Sequence, residues 1–513
     1  MKLFFTILLF ISIALNLNAQ VITPNTISFP KKSYEEINQF TSPTRGDAIF
    51  DTTFNVLRVY NGIKWMALGV DEKNPVMTAW RGGGLLSDIG EDIVVDKNNN
   101  VYVVGIFNLT AIFDSLSIVA PDTSALFLAK YSKTGKILWV KQVASNTGIG
   151  ANVSRLCLSS TGELLIAGVF RDSVNFGIET LSASTGKAEG FVAKFSSEGL
   201  PLWVRRINST SSLLIYDLGL DRNDNLYVVG TFFDSATFEN ATLTSVGSND
   251  FFLASYTSEG AFRWVRQGGS EGNNFDSCRG VAISSQNQIY ITGTFVGKFS
   301  IGNKILETLG NQNMYLARYS SNGDFVSVFQ AHGNVNNLRG NVEGVRVIAT
   351  NRDDIYVAGR FQAVAALGDY KLIGSLNTYQ VFLARFSETN VVAAFETQGD
   401  FLGGVSLTAD DDGAVYLAGG FIGNAIIKSF VPKIISSAGG FDFFVAKYAS
   451  NYPAEWVISG GGKNSDVISN MVIGQNKNIY LTGQYVGESI IGNTRLKNAN
   501  SLTDMFFIRL VQP

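Results

Sequence analysis

Apolar positions in this chain come in short runs separated by turn residues, and one run stands out because it ends in glycine, any residue and an aromatic. Val101-Tyr102-Val103-Val104-Gly105-Ile106-Phe107, Leu226-Tyr227-Val228-Val229-Gly230-Thr231-Phe232 and Ile289-Tyr290-Ile291-Thr292-Gly293-Thr294-Phe295 follow this plan. In an extended strand Tyr102 and Val104 fall on one side, and Val103, Gly105 and Phe107 on the other. Both sides are apolar, so both need cover, which a one-sided antiparallel sheet does not give. A sheet stacked between two neighbours does.

The run recurs around Gly105, Gly168, Gly230, Gly293, Gly359, Gly419 and Gly483, in steps of 63, 62, 63, 66, 60 and 64 residues. Seven copies at a nearly constant period mark a repeat architecture. After each run comes a second one, such as Phe127-Leu128-Ala129-Lys130-Tyr131, then in most copies a third with a tryptophan: Trp139, Trp203, Trp264 and Trp456. Upstream lies a fourth, such as Asp92-Ile93-Val94-Val95-Asp96. Four short strands per copy is the content of one blade of a β-propeller. The expected fold is therefore all-β: a single seven-bladed β-propeller of four-stranded antiparallel blades over residues 76–513. The repeated glycine is expected where a neighbouring blade comes close. Copy seven stops at Phe506 to Leu510, before its tryptophan strand, while Val76 to Arg81, running into Gly82-Gly83-Gly84, has the character of that strand. The front of the propeller segment is thus expected to complete the seventh blade and remove the free sheet edges.

The pattern Asn225 to Phe232, then Asp250-Phe251-Phe252-Leu253-Ala254, then Gly260 and Trp264, resembles the bacterial beta-propeller repeat family labelled SBBP. The likeness implies the propeller fold and export, and no single activity. Copies four and five depart from it with Ser327 and Ala394 in place of tryptophan, and copy two has Leu165 for the usual tyrosine.

Ahead of the repeats, Met1 to Ala19 has a lysine, a short apolar run and a terminal small residue, the form of a signal peptide. The mature chain is expected to begin near Gln20, without lipid attachment, and to be exported to the periplasm, cell surface or medium. Residues 20–41 read as a linker, and 42–70 as a small β-meander module with a hairpin turn at Asn61-Gly62. That module resembles the Tyr-Asn-Gly-x-x-Trp β-module of bacterial surface and phage-tail-like proteins; Arg45-Gly46-Asp47 reads as turn residues ahead of its first strand.

The formal charge of −3, with no block of like charge, points away from nucleic acid. Cys157 and Cys278 fall in different phases of the repeat, so no structural disulfide is expected. A single histidine, His332, leaves no room for a multi-histidine metal site. Turns between the first two strands carry Asp96-x-Asn98-x-Asn100 and Asp221-x-Asn223-x-Asn225, a spacing like the opening of a calcium loop, though hairpin turns favour the same residues. No other cofactor is expected.

The residues that begin each innermost strand are Asp92, Arg155, Asp217, Gly280, Arg346, Ser406 and Asn470. In a propeller they would ring one mouth of the central channel, a common ligand position. The leading expectation is a monomeric binding or scaffold protein for a protein or glycan partner. Its rivals are a carboxylate-dependent glycan hydrolase or lyase, with Asp92 and Asp217 as catalytic acids, and a structural part of an envelope assembly.

Overall fold

The computed structural model describes residues 29–32, 40–51, 56–60, 62, 65–68, 75–147, 151–184, 186–401, 405–428, 432–449, 454–498 and 502–512. The leader expected over 1–19, most of the linker and Asn61 of the hairpin turn lie outside these. Among the described residues there are strands and turns and no helix. The chain divides into two compact units, Met1–Asn74 with Pro513, and Pro75–Gln512.

In the first unit, Lys31–Lys32, Ala48–Asp51, Val56–Tyr60 and Trp65–Leu68 form a sheet in that order, the first pair parallel and the others antiparallel. Lys31–Lys32 falls in the segment read as linker. Trp65 packs against Tyr60 at 5.5 Å and Phe40 at 6.1 Å between ring centres. Asp47 Oδ2 accepts from Thr44 N at 2.8 Å, and Gly46 N donates to Tyr60 O at 2.8 Å, so the Arg-Gly-Asp triplet closes a turn.

In the second unit every copy builds an antiparallel sheet from an inner strand outward. Copy one uses Ile89–Val95, Val101–Phe113, Leu116–Tyr131 and Ile137–Thr147; copy three uses Leu213–Leu220, Leu226–Phe238, Ala241–Tyr256 and Phe262–Ser270. The Gly-x-aromatic run is the second strand, covered on both faces: Val101 to Val104 are all 1% exposed or less. In copy seven the outer place is taken by Val76–Gly84, which pairs antiparallel with Thr503–Val511 in the register Phe507 to Trp80 and Val511 to Val76. Each inner strand lies against the next, and that of copy seven lies against that of copy one.

Two features differ from the sequence expectation. The repeated glycine does not admit a neighbouring blade. A Cβ on Gly105 would sit 2.0 Å from Ile89 O and 2.7 Å from the Phe127 ring, and one on Gly230 2.0 Å from Leu214 O and 2.7 Å from Phe252, all within the same copy. The inner strand twists over its own neighbour there, and only hydrogen leaves room. The inner-strand glycines meet an adjacent copy instead: Gly280 faces Arg346 Cα of the copy after it, and Gly90 faces Thr482 Oγ1 of copy seven.

The sheets also have more than four strands. Between second and third strand every copy inserts a hairpin that reaches back to the outer strand of the copy before it. Gly83 pairs with Ile112, Asn146 with Val174, Asn208 with Thr237, Gly269 with Ser300, His332 with Ala366, Gln398 with Ile426 and Gly461 with Ile490. Each hairpin is thus a backbone clasp across the seam between two copies.

Tryptophans stitch the same seams. Trp80, Trp139, Trp203 and Trp264 each lie over a turn glycine of the following copy, Gly135, Gly199, Gly260 and Gly323. All four glycines have φ between +72° and +89°, and a Cβ there would touch the indole at 2.2–3.1 Å. A basic residue two positions on completes three of the contacts: Arg205 Nε donates to Gly260 O at 2.8 Å and Arg266 Nε to Gly323 O at 2.7 Å, while Lys141 Nζ donates to Glu198 O at 2.5 Å.

Candidate functional site

The inner strands carry the residues singled out from sequence, and a local irregularity decides what those residues touch. Register slips by one between Gly90 and Asp92, Val153 and Arg155, Ile215 and Asp217, Cys278 and Gly280, Gly344 and Arg346, and Ile468 and Asn470. Each slip is a β-bulge, which turns two successive side chains away from strict alternation. The extra residues are Glu91, Ser154, Tyr216, Arg279, Val345 and Ser469. In copy six Ser406 opens the strand paired with Ala418.

The residues after the bulges bridge neighbouring copies. Asp92 is 1% exposed; its Oδ2 accepts from Leu156 N at 2.6 Å, and its Oδ1 from Ile93 N at 2.8 Å and from Asn470 Nδ2. Asp217 repeats the plan, with Oδ2 accepting from Val281 N at 3.0 Å, and Oδ1 from Leu218 N at 3.0 Å and Arg155 Nε at 2.9 Å. Ser406 Oγ accepts from Met471 N at 3.0 Å and donates to Asn470 Oδ1 at 2.6 Å. Asp92, Arg155, Asp217, Ser406 and Asn470 are thereby brought into one buried polar girdle. Arg346 stands half-buried where Gly280 admits its backbone. Burial pushes Asp217 up to about 6 despite the pull of Arg155, and raises Asp92 as well.

Glu91, Tyr216 and Arg279 are half-buried and were missed from sequence. The Arg279 guanidinium stacks 5.4 Å from the Tyr216 ring centre, and its buried Nε has no hydrogen-bond partner. Glu91 is pushed up to about 7 by burial, against Arg155 and with Asp92. The available signal was a pair of adjacent polar residues inside an apolar strand, such as Glu91-Asp92 or Tyr216-Asp217.

The oxygen-rich turns use their carboxylates internally. Asp96 Oδ1 accepts from Asn98 N and Asn100 N, each at 2.8 Å, and Oδ2 from Asn100 Nδ2 at 2.8 Å. Asp221 does the same with Asn223 and Asn225, each contact at 2.9 Å, and adds Tyr227 OH at 3.0 Å. The turn tips also interlock: Asp224 accepts from Ser160, and Asp353 from Ser285, each through backbone and hydroxyl donors. Both cysteines are free thiols. A cleft of about 370 Å³ lies apart from the girdle, between copies one and two, lined by Asn108, Ser124, Asn152 and Arg171 over Phe170.

No family model matches the chain. An uncharacterized WD repeat-containing protein of Acanthamoeba polyphaga mimivirus is 26% identical over 242 residues, 40% of this chain; the match spans 17% of that relative's length. Among solved structures, virginiamycin B lyase from Staphylococcus aureus aligns at 10% identity over 85% of this chain and 99% of its own, with a TM-score of 0.40. An ulvan polysaccharide lyase aligns at 10% identity over 79% and 93%, with a TM-score of 0.41. The beta-propeller domain of the Trilobed protease from Pyrococcus furiosus aligns at 8% identity over 82% and 99%, with a TM-score of 0.38. No helix among the described residues is long and apolar enough to cross a membrane. The repeated sheets, joined inner strand to inner strand, make this chain an all-β repeat protein of the β-propeller kind.

Proposed function

We propose that the protein is an exported seven-bladed β-propeller of the bacterial repeat kind, closed by Val76–Gly84, which serves as a rigid scaffold for binding another protein. Closure is supported by the contact of the seventh inner strand with the first and by the pairing of Val76–Gly84 with Thr503–Val511. The observation that carries the binding role is a large aliphatic exposed on the hairpin of every copy: Ile112, Ile178, Val246, Ile305, Ile373, Ile434 and Ile490, each 48–70% exposed. Single exposed aliphatics are ordinary on a protein surface; one in or beside the hairpin of every copy, at differing positions along it, spreads apolar points along the outer hairpins, a surface suited to a protein partner. A carboxylate enzyme draws less support. Asp92 and Asp217 are almost fully buried and their oxygens already hold backbone amides, which leaves neither free to attack or protonate a glycosidic bond.

The test is capture of partners from the secreting cell by the full chain, alongside a glycan array. Replacing Ile305, Ile373 and Ile434 together by aspartate is expected to abolish capture at unchanged melting temperature. Capture that survives the triple change, or a glycan ligand bound equally by both forms, would overturn the reading.

A further inference from the structure

The aromatic that ends each Gly-x-aromatic run pairs with one residue of the third strand. That residue is Glu189, Asp250, Asn313, Gln380, Asp442 and Asp504 in copies two to seven, and Ala125 in copy one. A second position lies four residues before Asp92, Arg155, Asp217, Gly280, Arg346 and Asn470. It holds Asp88, Leu213, Asp276, Val342 and Asp466 in five copies, and Ala151 in copy two.

The two positions meet at the seams. Between copies seven and one, a Cβ on Gly83 would touch Asp504 Oδ1 at 2.5 Å and Asp88 Oδ2 at 3.1 Å. Between copies one and two the same places hold Ala125 and Ala151, both small and without a polar group. The space that longer side chains take up elsewhere stays open there, as the cleft of about 370 Å³ beside Ser124 and Ala151. Its volume is that of a small-ligand site.

The cleft also carries a charge that the other copies lack at this place. The residue after the run's aromatic is Arg171 in copy two, and Asn108, Phe233, Val296, Gln362, Ile422 and Val486 in the others. Arg171 is half-buried, and its hydrogen bond among the described residues, Nη1 to Gly186 O at 3.5 Å, is at the limit of such a contact. Glu189, paired with the adjacent Phe170, is held by Arg206 through two hydrogen bonds. Arg171 therefore lines the cleft with no described carboxylate bound to it. Ile106 and Val169, both half-buried, give aliphatic walls, and Asn108 and Asn152 add amides. Asn108 donates Nδ2 to Ser87 O, which leaves its Oδ1 to accept from a ligand.

A guanidinium beside aliphatic walls and amides matches an organic carboxylate. A sugar acid brings many hydroxyl donors that call for carboxylate acceptors, and among the described residues none lines the cleft. We propose that the cleft captures the C-terminal carboxylate of a peptide ending in an aliphatic residue. Arg171 holds the carboxylate, Ile106 and Val169 take the last side chain, and Asn108 Oδ1 accepts from a peptide N–H. The proposal stands independently of the partner reading, because the exposed aliphatics that carry that reading lie outside the cleft.

Calorimetry on the full chain with N-acetyl-Gly-Ala-Leu is expected to give one site, and the same peptide as its C-terminal amide should bind at least about tenfold more weakly. Arg171→Gln should lower affinity for the acid to that for the amide, at unchanged melting temperature. Ala151→Leu, which gives copy two the residue that copy three carries as Leu213, should fill the cleft and abolish binding of both forms. Arg171→Gln carries the test if Ala151→Leu does not fold. No binding of the acid overturns the proposal, as do equal affinities for acid and amide, an acid preference kept in full by Arg171→Gln, a folded Ala151→Leu chain that binds undiminished, or glucuronate bound more tightly than the peptide.

Discussion

The seam between copies three and four and the seam between copies four and five have the same backbone plan and different contents. At the first, Trp264 covers Gly323, Arg266 caps that turn, and Asp217 ties the inner strands. At the second, Ser327 occupies the tryptophan position, and the facing turn, Ser387 to Asn390, is shorter, carries no glycine and has Glu388 at φ 55°. An ion pair replaces the indole, Arg318 Nη1 to Glu388 Oε1 at 2.9 Å, with the carboxylate side largely open to water. Phe329 against Phe386, at 5.3 Å between ring centres, supplies the apolar contact. The lesson is that tryptophan and glycine belong to one two-residue unit that spans copies. Where Ser327 replaces the tryptophan the facing turn has no glycine, and a screened surface ion pair is a weak substitute.

The largest expected break in this comparison is Asp217→Ala. It strands the buried Arg155 charge and two backbone amides, and should cost about 3–5 kcal/mol in urea unfolding. Next comes Trp264→Ala, expected to cost about 2–3 kcal/mol because the ring is only partly buried, against less than about 0.5 kcal/mol for Ser327→Ala. The comparison is sharpened by building the missing unit. Ser327→Trp alone should gain nothing, whereas together with Glu388→Gly it should show a favourable coupling of about 0.5–1 kcal/mol in a double-mutant cycle.

A comparably small effect concerns pH. Burial pushes Asp217 and Asp276, both at the first seam, up to about 6, above their ordinary value of 3.8. A carboxyl raised by folding adds stability while protonated and loses it as pH rises through its folded value. The melting temperature should therefore fall between about pH 4 and 7 on account of these two groups. Asp276→Asn should flatten the profile by about 1 kcal/mol, read from melting curves across that range.

Much of the architecture was legible because a repeat amplifies weak signals. The Gly-x-aromatic run located all the second strands, and the likeness of Val76 to Arg81 to the other tryptophan strands pointed to its pairing with Thr503–Val511. The hairpin clasps were not read, although Ile301-Gly302-Asn303-Lys304 and Ile491-Gly492-Asn493-Thr494 are recognisable turns, with Gly302 and Gly492 at φ 57° and 59°. Their strands are four residues long and alternate between exposed and buried positions, so they carry little pattern of their own. The site was half legible. Asp92 and Asp217 were placed on the right strands, but a bulge is a hydrogen-bonding irregularity that composition does not encode, so their commitment to neighbouring amides and the roles of Glu91, Tyr216 and Arg279 escaped the sequence.

The partnership of Val76–Gly84 with Thr503–Val511 makes synthesis a timed event. Arg81 donates to Lys497 O across 416 residues of chain, so the earliest strand of the unit, held until then only by Gly82 to Gly84 against Ala111 to Phe113, must wait for its main partner until translation has reached Thr503–Val511. Messages truncated upstream of Thr503 would leave Ile479–Val486 and Val76–Gly84 without the strand that both pair with, two open edges prone to stick to their own kind and open to proteases. The second unit is in effect proofread by the strand of it that arrives last.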